Sequence, residues 1–150
     1  MSRMAQVLVL ARHEDEVMEP LTRPDETRTW RGCFEPIPDW FVGGWYLSFF
    51  RERQRRGVLA DLEALPWNAP ECVKVLLHDE DDDCFGMWMF QDGVLAEVSI
   101  PTIQRIHTPP LWYEDEDSLR PGYLRRTIGP NVVDLPPNSP EHAQDPRLSW

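Results

Sequence analysis

Residues 72–100, CVKVLLHDEDDDCFGMWMFQDGVLAEVSI, decide the fold class, because turn chemistry, alternation and register agree there. Asp92-Gly93 lies between two apolar runs, and both central residues of a type I′ turn need positive φ, so the pair predicts a tight hairpin. That turn sets Met89 opposite Ala96, Met87 opposite Val98 and Phe85 opposite Ile100, a wholly apolar face. Upstream, a five-residue loop over Asp79 to Asp83 sets His78 opposite Cys84 and brings Val73, Val75 and Leu77 onto that same face. A slip of one residue would put Lys74, Leu76 and His78 there instead, so the hydrophobic pattern selects this register. The stretch reads as a three-stranded antiparallel meander with Met87 and Met89 in the core. Its outer face then carries the row Lys74, Trp88, Glu97, a cation over an indole beside a carboxylate.

Working outward, a chain of 150 residues fits one domain and can bury roughly 68 to 70% of its unfolded surface. Ala5 to Ala11 is a short apolar run rich in β-branched residues, which predicts a buried central strand. Pro20 to Pro38 follows neither period and reads as a surface loop pinned by Trp30 and Phe34. Asp39 is placed like an N-cap, and from Trp45 the residues Leu47, Phe50, Val58, Leu62 and Leu65 follow mostly helical steps. A helix is therefore expected from Gly44, kinked or split at Gly57 and ended by Pro66. A strand, a helix and a further strand form a right-handed crossover if the strands are parallel, which would lay the first strand beside Val73 to Leu77.

Beyond Ile100 stand nine of the fifteen prolines, so regular structure is sparse, with apolar anchors enough to wrap the domain as far as Leu135. The expected architecture is a single α+β domain over 1–135: an N-terminal strand, one or two helices, and the meander in a mixed sheet, with an irregular proline-rich wrap. Residues 136–150 carry few anchors and read as a disordered tail.

Three cysteines without Cys-x-x-Cys spacing are wrong for a disulfide framework or a zinc knuckle, which favours a reducing compartment. No apolar run reaches a membrane span and the first residues lack a signal-peptide layout, so the expected location is the cytoplasm. The net charge of −11 is concentrated: residues 1–70 carry −2, residues 71–117 carry −10 and residues 118–150 carry +1. Such charge repels nucleic acid and anionic membranes, and steers basic partners or cations.

The common catalytic motifs are absent: no glycine-rich phosphate loop, no His-Glu-x-x-His and no Gly-x-Ser-x-Gly. Cys84 with His78 has no third group to orient it, so no catalytic residue and no cofactor is assigned. If the first strand runs parallel to Val73 to Leu77, His13, Glu14, Asp15 and Glu16 converge with His78, Asp79 and the following acids. The metal candidates are then His13, Glu14, Asp15, His78 and Asp79, for a divalent cation. The partner-facing candidates are Asp79, Glu80, Asp81, Asp82 and Asp83 in the turn, Trp88 on the outer face, and Trp112 with Glu114, Asp115, Glu116 and Asp117.

Arg51 to Arg56 reads as the solvated side of a helix or, alternatively, as a patch that pairs with an acidic face of a second copy, making a homo-oligomer. The leading functional expectation is an acidic protein that inhibits or neutralises a basic protein, as antitoxins, immunity proteins and DNA mimics do. A divalent-metal enzyme on a phosphorylated substrate is the alternative, and a structural or assembly component a third.

Overall fold

The computed structural model describes residues 4–38, 41–110, 121–130, 132 and 136–150. The expected cap at Asp39, the anchor Trp112 and the run Glu114 to Asp117 lie outside these. The fold is α+β: a six-stranded sheet and a separate two-stranded one, with two helices. In chain order the elements are β1 (Ala5–Leu10), α1 (Asp15–Met18), β2 (Glu35–Pro36), β3 (Gly44–Phe49), α2 (Val58–Ala64), β4 (Lys74–Asp79), β5 (Gly86–Gln91), β6 (Val94–Val98), β7 (Ile103–Ile106) and β8 (Tyr123–Arg126). The large sheet runs β2-β3-β1-β4-β5-β6, and every pairing among the described strands is antiparallel.

β1 is the expected central strand. Ala5, Val7 and Val9 point inward, and the strand is flanked on both sides, Val7 standing between Leu47 and Leu77. Its second neighbour corrects the helix expected from Gly44. Trp45, Leu47 and Phe49 alternate inward with Tyr46 and Ser48 outward, a strand period hidden beneath a helical one. A central apolar strand must pair on both edges to satisfy its backbone, and β3 supplies the second edge.

The helix that does form is α2, and Gly57, expected to kink or split a longer helix, stands at its start. With φ of +98° and an ideal Cβ only 2.0 Å from Thr29 Oγ1, this position admits no side chain without rearrangement. α2 ends one residue before Leu65 and Pro66, burying Val58, Leu59 and Leu62 against the sheet.

The hairpin forms as its turn chemistry predicts: Asp92 and Gly93 both have positive φ, and Met87 pairs with Val98, Met89 with Ala96. The junction with β4 is displaced by one residue. Val75 stands opposite Trp88 rather than Met87, and Leu77 opposite Gly86. Trp88 is consequently buried at 1% exposure, while Met87 and Met89 lie on the outer face with Lys74, Leu76 and His78. Both faces of β5 are apolar, so alternation alone does not choose between them. Burying the indole removes more apolar area than burying methionine, and Gly86 facing inward leaves room for Leu124, whose Cδ1 lies 2.9 Å from where a Cβ would be. The row Lys74, Trp88, Glu97 therefore does not exist. Glu97 turns inward beside Trp88 and is paired by Arg105, with Nη2 at 2.6 Å and Nε at 3.0 Å.

β1 runs antiparallel to β4, which overturns the parallel crossover: Ala5 faces Asp79 and Leu10 faces Lys74. The core lies on one side of the sheet, roofed by α2, by Met18 and Leu21, and by Trp30, which meets Phe34 and Phe49 edge-on and donates Nε1 to Asp61 at 2.7 Å. Residues 136–150, read from composition as a disordered tail, are tied to the body at several points, with Asn138 Oδ1 accepting from the His107 N–H and the Trp150 carbonyl from the Gly57 N–H. Trp150 is 7% exposed within the core, and Arg147 reaches Glu63 and the Leu95 carbonyl.

Candidate contact surface

Most carboxylates of the acidic turn after β4 are bound into the fold. Asp79 ends β4 pointing inward, and its Oδ2 accepts from Arg55 Nη1 at 2.6 Å. Arg55 is fully buried, lies 4.2 Å over the Trp150 ring and donates Nε to the Ser149 carbonyl, so it departs from the solvated arginine side expected of residues 51–56. Asp82 accepts from the Leu124 N–H at 2.7 Å and from the Asp79 N–H at 2.9 Å. Burial pushes its carboxyl above the usual aspartate range against the pull of those two donors. Asp83 accepts from the Arg126 N–H and pairs with Arg125, and these hold its carboxyl below the usual range, the backbone donor foremost. The turn is a clasp between the meander, β8 and the C-terminal segment. Glu80 and Asp81 remain exposed, Glu80 accepting from the Met4 N–H at 3.2 Å.

The five metal candidates are not brought together. The chain leaves β1 toward His13, Glu14 and Asp15 at the Lys74 end of β4, whereas His78 and Asp79 sit at the Ala5 end. Glu14 is buried and accepts from the backbone of Asn68 and Ala69, latching the segment that enters β4. His78 stacks on Phe85 at 4.9 Å. Among the described residues no group of three His, Cys, Asp or Glu could hold a metal ion. The Cys84 thiol is pushed up by burial and by the Asp82 and Asp83 carboxylates, which disfavours a thiolate nucleophile.

What sequence reasoning missed is the other face of the sheet. Cross-strand partners share a face, so the registers place Tyr46, Leu8, Leu76, Met87 and Val98 in one row across β3, β1, β4, β5 and β6. Leu10, Met89, Ala96 and Val94 lie to one side of it, and Ser48, Gln6 and His78 form a polar row on the other. No described helix packs over this side, and Tyr46 and Val94 are 41% and 47% exposed. Among the strand residues of this face Lys74 is the one cation. Glu35 stands on it beside Tyr46, accepting the phenol proton at 2.6 Å, and Glu80 closes the end of β4. The signal was present as even-numbered apolar residues in β1 and β4, but it is invisible until the register is known.

Both sheet edges are obstructed. Leu95, mid-way along edge strand β6, donates its N–H to Glu63 Oε1 at 2.8 Å and gives its carbonyl to Arg147, itself paired with Glu63. The other edge, β2, is two residues long and includes Pro36.

These features define an antiparallel α+β domain with one sheet face roofed and the other, among the described residues, without a helix over it. No family model matches the chain, and no curated protein or solved structure matches it significantly. Among the described residues no helix is long and apolar enough to cross a membrane.

Proposed function

We propose that the chain is an acidic binding protein that seats on a basic protein and inhibits or neutralises it, in the manner of an antitoxin, an immunity protein or a DNA mimic. The observation that carries this reading is a row of half-buried to exposed apolar side chains across a sheet face that no described helix covers, on a chain of net charge −11. The apolar face supplies area to bury, and the surrounding acid selects a basic partner and steers its approach. Compared with the expectation from sequence, the contact surface moves from the acidic turn, most of whose carboxylates serve the fold, to the open face and its rim. Trp88, once a candidate for contact, is part of the core. The metal-enzyme reading depended on two groups of carboxylates converging, and the antiparallel pairing separates them. A cytoplasmic setting belongs to the same proposal and fits three free thiols, Cys33, Cys72 and Cys84.

The test is affinity capture from the native cell with the full chain as bait, eluted stepwise with salt. Basic proteins should be recovered, should leave as salt rises from about 0.1 to about 0.5 M because exposed charges are screened over roughly 10 Å or less, and should lose their own activity when the chain is added back. Recovery confined to acidic proteins, or indifferent to salt, would overturn the reading.

A further inference from the structure

We infer that the open sheet face receives an amphipathic α-helix with basic flanks, presented by the partner protein; this rests on the acidic-binding reading above and names the surface and shape through which it acts. An extended peptide adding to the sheet is disfavoured, because the edge-facing N–H and C=O of Leu95 are occupied by Glu63 and Arg147 and the opposite edge is short and carries Pro36. The face itself remains. β1, β4 and β5 at its centre span about 10 Å, the width of one helix, and their six residues extend about 20 Å, the length of some 13 helical residues. Leu8, Leu76 and Met87 form the floor, with Tyr46 on one side and Val98 on the other. Methionine at the middle suits a surface that must adapt to another molecule's side chains.

Charge decides the occupant. A second copy would bring another −11 and the same acid rim, so self-association through this face is opposed. A helix with lysine or arginine beside its apolar stripe would set those cations toward Glu35 and Glu80, both exposed. Lys74, the cation among the strand residues of the face, is a like charge for it to avoid and lies at the end of β4 remote from Glu80.

The probe is a fluorescein-labelled peptide of two Leu-Lys-Lys-Leu-Leu-Lys-Leu heptads, compared with a scrambled peptide of the same composition and with a strictly alternating Leu-Lys peptide. Binding to the full chain is followed by fluorescence anisotropy and by backbone and methyl NMR. The helical peptide should bind at least about tenfold more tightly than either control, weaken with salt, and shift resonances of Leu8, Leu76 and Met87. Met87→Asp should weaken it by at least about tenfold, and Tyr46→Asp, at a position already exposed, serves if Met87→Asp does not fold.

Equal binding of the alternating peptide, no binding of any peptide, or shifts gathered at β6 or the acidic turn would overturn the proposal. So would a dimer in the ultracentrifuge that Tyr46→Asp dissolves, since a second copy would then own the face. Salt-sensitive binding off the face would remove the surface assigned here and leave the basic-partner reading standing. Binding on the face that ignores salt would remove both the basic flanks and that reading.

Discussion

At the scale of single residues, the buried Arg55–Asp79 pair ties three distant parts of the chain together, and its removal has a definite expected cost. Arg55→Met leaves the Asp79 carboxylate, 6% exposed, without its guanidinium, and breaking a buried pair on one side costs about 3 to 5 kcal/mol. The urea midpoint should fall accordingly, and the double variant Arg55→Met with Asp79→Leu should recover most of the loss, because no unpaired charge is left inside. Neighbouring Asp82 and Asp83 should titrate on opposite sides of the ordinary aspartate value in a carboxyl NMR titration. The raised Asp82 means its ionisation opposes folding: its contribution is present below the unfolded pKa and is lost as pH rises through the folded one. The lowered Asp83 acts in the reverse sense, stabilising above the unfolded pKa and ceasing to do so as pH falls through the folded one. A single shared midpoint would refute this assignment.

At the scale of elements, the register between β4 and β5 makes a prediction opposite to the one alternation alone would make. Trp88→Asp should unfold the domain or cost several kcal/mol, since it buries a charge and removes one of the two indoles that the sheet buries. Met87→Asp should be much milder. Equal urea midpoints for the two would mean that both faces are covered. Gly57→Ala should cost about 1 to 3 kcal/mol, because the start of α2 holds positive φ and the added carbon meets Thr29. Arg147→Ala frees the Leu95 carbonyl and loosens Glu63 from the β6 edge, so the variant should aggregate faster by light scattering, as open strand edges do.

At the scale of the molecule, charge and shape pull in different directions. Eleven excess negative charges repel one another across the surface, while the most deeply set ion pair of the fold, Arg55–Asp79, is shielded from solvent. Added salt should therefore raise the melting temperature, since it screens the exposed repulsion more than the buried attraction. A melting temperature that falls with salt would mean that surface pairs such as Arg125–Asp83 contribute more than the net repulsion removes. The same imbalance underlies the proposed function: an apolar sheet face on a strongly acidic body is costly to leave in water and is relieved by a basic, amphipathic partner.

Local chemistry was enough wherever the decision was local. Asp92-Gly93 specified the hairpin and its pairing, Pro66 marked the end of α2, and Ala5 to Ala11 announced a central strand. Decisions between equally apolar alternatives were not legible. Met87 and Trp88 both belong to hydrophobic stripes, and only the packing of the core chose the indole. Trp45 to Phe49 fits two periods, and only β1's need for a second partner made it a strand. Strand direction, which separated His13, Glu14 and Asp15 from His78 and Asp79, follows from which elements lie side by side and leaves no mark on either segment. By itself the sequence determined the α+β class, the hairpin and the acidic character, because turn geometry and charge are properties of a few adjacent residues. The tertiary structure alone decided which face is open and which carboxylates are committed to the fold, because both depend on long-range neighbours that compete for the same buried area.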